Sequence, residues 1–160
     1  RDRSVSRGLG DVYKRQEYYS SVLSAFELDD GHFLHKEDKS FFEKMMQIID
    51  SHIQNTDLSV ELLSSSLGYS TRQFYRKLKN VTEKTPADII REYRLTIVER
   101  LLLTTQLSIE EIMDKTGFSN RGTFYKAFAQ KFEMTPKQYR NIKTKDVHDA
   151  SEEGGGTMNV

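Results

Sequence analysis

The 160 residues include no cysteine, which excludes disulfide cross-links and thiolate metal sites. Proline occurs only twice, and net charge is absent: 24 Lys plus Arg balance 24 Asp plus Glu. No apolar run approaches the ~18 residues that a membrane-crossing helix needs, and no signal peptide opens the chain. These absences predict a soluble, cytoplasmic piece. Residue 1 is Arg1 rather than Met, so the piece is read as part of a longer protein, whose remainder can still carry a membrane anchor. The length predicts one domain with tails.

Motifs of catalysis are also missing. There is no P-loop, Gly-rich dinucleotide motif, HExxH or nucleophile elbow. The carboxylate pair Glu110-Glu111 sits at a helix N-terminus, where the helix dipole favours negative charge. His32 and His35 form an HxxH pair in a polar stretch and read as surface histidines rather than a metal site. No enzyme activity, metal or cofactor is expected.

Zero net charge at first argues against a nucleic-acid partner, but the distribution is uneven. From Ser40 to Lys143 there are 16 Lys plus Arg against 12 Asp plus Glu. The acidic surplus lies outside, at Asp29, Asp30, Asp146, Asp149, Glu152 and Glu153. A modest positive field over the central segment suits DNA, although it is not specific to DNA binders.

Residues 1–16 (RDRSVSRGLGDVYKRQ) show neither helical nor strand periodicity. They read as a non-native or disordered leader, the alternative being a native arm that touches phosphates. Residues 17–39 read as a linker with a weak helix near Tyr18 to Phe26. At Ser40 the pattern changes. Ser40 and Glu43 have capping-box spacing, and Phe42, Met45, Met46, Ile49 and Ile53 recur at helical intervals, which predicts a helix from Phe41 to Gln54. Residues 144–160, with Glu152-Glu153 before three glycines, are predicted to be a disordered tail.

Within 40–143 a pattern occurs twice. Leu58-Ser59-Val60 and Leu107-Ser108-Ile109 each place a capping Ser after an apolar residue that can staple onto the first turn, toward Leu63 and Ile112. Each short helix then stops at a glycine followed by an aromatic and a Ser: Gly68-Tyr69-Ser70 and Gly117-Phe118-Ser119. Glycine is the natural left-handed helix end, and the Ser can cap the next helix. A second helix follows, with Phe74 and Leu78 or Phe124 and Phe128 at i, i+4, and each unit ends in Thr-Pro. The spacing is 49 residues from Leu58 to Leu107 but 50 from Phe74 to Phe124, so the second unit has one extra residue near its turn. Between them, residues 86–104 read as one long helix with Ile89, Ile90, Tyr93, Ile97, Leu101 and Leu102 on its apolar face. Two copies around a long helix fit a pair of helix-turn-helix units (59–85 and 108–135) better than a solenoid.

The second helix of such a unit enters the major groove. Opposite Phe74 and Leu78, Arg72 and Arg76 share a face, with Tyr75 and Lys79 beside them and Thr71, Gln73 and Lys77 toward the edges. An arginine can donate twice to guanine O6 and N7. A solvated charged face would have the same composition; placement on the second helix favours DNA. In the second unit Gly122 and Lys126 take the places of Arg72 and Arg76, with Arg121 and Tyr125 nearby and Asn120 and Thr123 as polar contacts. Gly122 offers no side chain, so this unit is expected to read fewer bases and to grip phosphates, which set register rather than sequence.

Residues 59–140 resemble the DNA-binding domain of the AraC/XylS family of bacterial regulators. The likeness is carried by Ile112 to Ser119 (IMDKTGFS), Phe124 to Phe128 (FYKAF) and Thr135 to Arg140 (TPKQYR). It implies an all-α, homeodomain-like fold of seven helices, in which two helix-turn-helix subdomains joined by a long central helix address successive major grooves. It implies base contacts from Arg72, Tyr75, Arg76, Arg121, Gly122 and Lys126, and Gly122 departs from what such a contact needs. The implied partners are double-stranded DNA, RNA polymerase, an upstream sensor or receiver domain, and a second copy joined through regions outside this chain. Residues 69–79 and 85–95 are similar to the output domains of hybrid two-component sensors. The competing reading is a helical protein-interaction module without DNA readout.

Overall fold

The computed structural model describes residues 36–153, with side chains for 37–146. The leader, the weak helix near Tyr18, the His32–His35 pair and residues 154–160 lie outside the described residues. Seven helices are found among those described: α1 (Lys36–Ser51), α2 (Val60–Ser66), α3 (Thr71–Val81), α4 (Pro86–Thr104), α5 (Ile109–Thr116), α6 (Arg121–Phe132) and α7 (Pro136–Glu153). No strand occurs among them, and none of the helices is long and apolar enough to cross a membrane. The chain divides into two compact units, with the boundary between Tyr93 and Arg94 inside α4.

In the first unit α1 packs on α2, and α2 on α3. The buried residues are Phe41, Phe42, Met45, Met46, Ile49 and Ile53 from α1 and the turn after it, Leu63 from α2, Phe74 and Leu78 from α3, and Ile89, Ile90 and Tyr93 from α4. The hydroxyl of Tyr93 donates to Asp50 Oδ1 at 2.6 Å, which fixes α4 against the end of α1. Helix α1 begins at Lys36, not after Ser40. Glu37 and Asp38 fill its first turn, where they meet the positive end of the dipole. Ser40 is therefore inside the helix rather than its N-cap.

The second unit has a core of Leu95, Val98 and Leu102 from α4, Ile112 and Met113 from α5, Phe118 from the turn, Phe124, Ala127 and Phe128 from α6, and Tyr139 from α7. Leu107 packs against this cluster, as an N-terminal staple should. The apolar stripe expected along α4 does not hold throughout. Ile97 and Leu101 are only partly buried, while Leu95 and Val98 are inside. The two halves of the helix serve different cores, so no single periodicity runs its length.

Helix α7 continues to Glu153, although residues from 144 onward were expected to be disordered. No glycine or proline interrupts 137–153. Near its start, Tyr139 is buried and donates its hydroxyl to Glu99 of α4. Burial first, and then this hydrogen bond and the Glu99 charge, push the phenol up to about 12. Its folded value thus lies above the ordinary 10.0, so the contact stabilises fully below that value and fades as pH rises toward 12. Urea unfolding across this alkaline window should show stability falling more steeply for the wild type than for Tyr139→Phe. Equal slopes would remove Tyr139 as the cause.

Candidate nucleic-acid interface

The start of α3 is set by Ser70. Its hydroxyl accepts from Gln73 N–H at 3.2 Å, and Gln73 Oε1 accepts from Ser70 N–H at 3.0 Å. This is a reciprocal capping box. The turn before it uses Gly68 at φ 79°, a conformation natural to glycine, and Tyr69 N–H donates back to Ser64 O at 2.9 Å. Phe74 and Leu78 then point inward, 0% and 2% exposed, with the Phe74 ring 5.9 Å from that of Phe41.

The opposite face of α3 is open. Arg72, Gln73, Tyr75, Arg76 and Lys79 are all exposed, while Thr71 is half-buried. Tyr75 is 49% exposed, its ring open beside the two arginines. Lys77 is drawn off this face, its ammonium 5.5 Å from the centre of the Phe41 ring. Gln73 is constrained chemically. Its oxygen accepts from Ser70 N–H, which engages one of its two lone pairs and fixes the plane of the amide. Bidentate recognition of adenine needs a donor and an acceptor side by side, so it competes with the cap.

Helix α6 is built in the same way with one difference. Ser119 was expected to cap it, but Asn120 does so, its Oδ1 accepting from Thr123 N–H at 2.9 Å. The extra residue of the second unit is absorbed here. Gly117, at φ 79°, ends α5, and two cap-competent residues follow it. The Asn120 carbonyl is thereby engaged at the helix start. Gly122 gains a second explanation, because a Cβ there would stand 3.3 Å from Asn120 Oδ1 and crowd the cap. Phe124 and Phe128 are 0% exposed. Arg121, Gly122, Thr123 and Lys126 are exposed and Tyr125 is half-buried, its ring edge-on to Phe124 at 5.4 Å.

One participant was missed in the sequence. Glu111, at the third position of α5, forms the capping box with Ser108, as expected of that Ser. Glu110 also lies in the first turn, as expected, but takes no part in the box. Its Oε1 accepts from Arg121 Nη1 at 2.8 Å, so a carboxylate of α5 meets a guanidinium at the start of α6. The only signal available was that the box needs one of the two acids. Among the described residues, no group of three His, Cys, Asp or Glu could hold a metal ion.

The helix-turn-helix domain family matches residues 63–142, half of the chain. The chain is 34% identical over 104 residues to "Histidine kinase P4" of Formosa agariphila, a match covering 65% of this chain but only 8% of that protein. It is 30% identical over 103 residues to the regulatory protein SoxS of Escherichia coli, covering 64% of this chain and 95% of SoxS. A solved structure of an AraC-type transcriptional regulator from Chromobacterium violaceum superposes with a TM-score of 0.60 at 25% identity, covering 67% of this chain and 95% of that one. With its two Gly-turned helix pairs and their exposed basic second helices, the chain belongs to the AraC/XylS family of helix-turn-helix transcription regulators and carries that family's DNA-binding domain.

Proposed function

We propose that α3 and α6 are the recognition helices, each turning its exposed face into a major groove of double-stranded DNA, and that the chain is the output module of a larger signal-transduction protein. One observation carries the first part: in each unit the second helix buries a pair of apolar residues completely or nearly so and leaves cations on the face opposite. On α3, Arg72 and Arg76 lie one turn apart and suit guanine O6 and N7. Tyr75 offers an apolar ring beside them. Thr71, Gln73 and Lys79 lie where phosphates would pass. On α6, Asn120, Thr123, Tyr125 and Lys126 are positioned for backbone contacts, so most base reading falls to the first unit.

The output role is supported by the likeness to a Formosa protein whose name is that of a histidine kinase, and of which this chain spans less than a tenth. An upstream sensor or receiver domain, RNA polymerase and a second copy of the protein are the further partners in this reading.

Titration of duplex DNA at increasing salt tests the proposal. Affinity should fall steeply, because each phosphate neutralised releases counterions. A flat response would favour the protein-interaction module. Gln73→Glu gives a finer test. Glutamate keeps the capping box but replaces the amide donor with a negative charge. Unfolding stability should stay within about 0.5 kcal/mol, while affinity falls by a similar factor on every duplex. A loss confined to duplexes carrying adenine at one position would show instead that Gln73 reads a base.

A further inference from the structure

Helix α7 is anchored only near its start. Tyr139 is buried in the second core, and Arg140 Nε donates to Leu102 O of α4 at 3.0 Å. Beyond them, every residue from Asn141 to Asp146 is exposed, including the large apolar Ile142 at 47%. The helix nevertheless runs on to Glu153. The stretch from Asn141 to Glu153 is about 20 Å long. A helix of this size without tertiary support is marginal in water, so a partner would stabilise it.

The charges of α7 are sorted into two blocks. Residues 137–145 carry Lys137, Arg140, Lys143 and Lys145 and no acid, while residues 146–153 carry Asp146, Asp149, Glu152 and Glu153 and no Lys or Arg. This order does not serve the helix itself. The dipole favours acids in the first turn and bases in the last, and α7 has neither. Lys145 precedes Asp149 by four residues, the poorer orientation for pairing within a helix. Lys143, Lys145 and Asp146 form no ion pair among the described residues.

We propose that α7 pairs antiparallel with the α7 of a second copy of this chain. Turned end for end, the cationic block of each helix meets the anionic block of the other, and twofold symmetry makes each attraction twice. The axis falls near residues 145 and 146, with Ile142 close to it. A parallel pair would instead set like charge on like. Exposed ion pairs are individually weak and screened by salt, so the dimer is weak, with a Kd on the order of 100 µM. The contact involves no DNA, so it stands or falls apart from the recognition role of α3 and α6.

Sedimentation equilibrium of the full 160-residue chain, without DNA, tests the pairing. At about 50 mM salt the mass should climb from 18.6 kDa toward twice that value as concentration passes about 100 µM. At about 0.5 M salt it should return to the monomer. Lys143→Glu with Lys145→Glu should weaken association about tenfold or more, and so should Asp149→Lys with Glu152→Lys. Mixed in equal amounts, the two double variants should associate at least as well as the wild type, which also shows that neither has failed to fold. A wild type that stays monomeric, a charge variant that associates within about twofold of the wild type, or a mixture that remains monomeric would overturn the pairing.

Discussion

Truncating Phe124 to alanine should destabilise the second unit by about 3–5 kcal/mol, the range for removing a large ring from a closed core. Phe124 is fully buried and is the ring on which the unit converges. Phe118 lies 5.1 Å away, Tyr125 5.4 Å and Phe128 6.2 Å, with Ile112, Val98 and Leu102 in the same cluster. The lost ring cannot be replaced by collapse of one neighbour, because those neighbours come from α4, α5, α6 and the Gly117 turn. A whole unit of this size is stable by only some 5–15 kcal/mol, so the variant should be largely unfolded at modest urea. Phe124→Leu conserves most of the volume and should cost under about 1.5 kcal/mol. Tyr75→Ala, at an exposed position, should change stability by no more than about 0.5 kcal/mol. The comparison is made on urea midpoints followed by circular dichroism. A Phe124→Ala loss below 1 kcal/mol would mean that α6 is not anchored as described.

The second large effect concerns binding rather than folding. Arg76→Ala should weaken binding to a selected duplex by about 1–3 kcal/mol, roughly 5- to 150-fold, with the loss traced to one base pair. The reason lies in the helix. Arg76 is one turn from Arg72, both are exposed opposite buried Phe74, and the capping box holds the helix start that aims them. The fold should be untouched, since Arg76 packs against no core. Removing one cation also lessens the general attraction for phosphate, so some loss on random DNA is expected. The diagnostic quantity is the excess loss on the selected sequence.

Much of this architecture was legible because its signals are local. A Ser followed three residues later by Glu or Gln, a glycine at the end of a short helix and a Thr-Pro before the next are each decided within one turn of chain. Ser70 with Gln73, Ser108 with Glu111, Gly68 and Gly117 all behave accordingly, and Ser59 caps its helix without a box. What the sequence concealed were competitions and distant contacts. Ser119 and Asn120 are both able caps, and only the packed geometry chooses Asn120. Ser40 resembles a cap, but acids in the preceding turn begin the helix sooner. Helix α4 buries different residues in its two halves, so a single stripe drawn through Ile97 and Leu101 misplaces Leu95 and Val98. Glu110 and Arg121 are eleven residues apart on different helices, and helical periodicity carries no trace of their pairing.

The two units are not symmetric. Gly122 leaves α6 without the side chain that Arg72 gives α3. The structure adds that the same glycine leaves room for the Asn120 cap, and that the neighbouring Arg121 is held by Glu110.

The most direct measurement compares Arg76→Ala with Lys126→Ala on one panel of duplexes: the selected sequence, its single-base variants and random DNA. The expected result is that Arg76→Ala flattens the preference at one base position, while Lys126→Ala weakens every duplex by a similar factor and lowers the salt slope by about one. Equal, sequence-blind losses for both variants, or a loss of base preference only with Lys126→Ala, would contradict the assignment of base reading chiefly to the first unit.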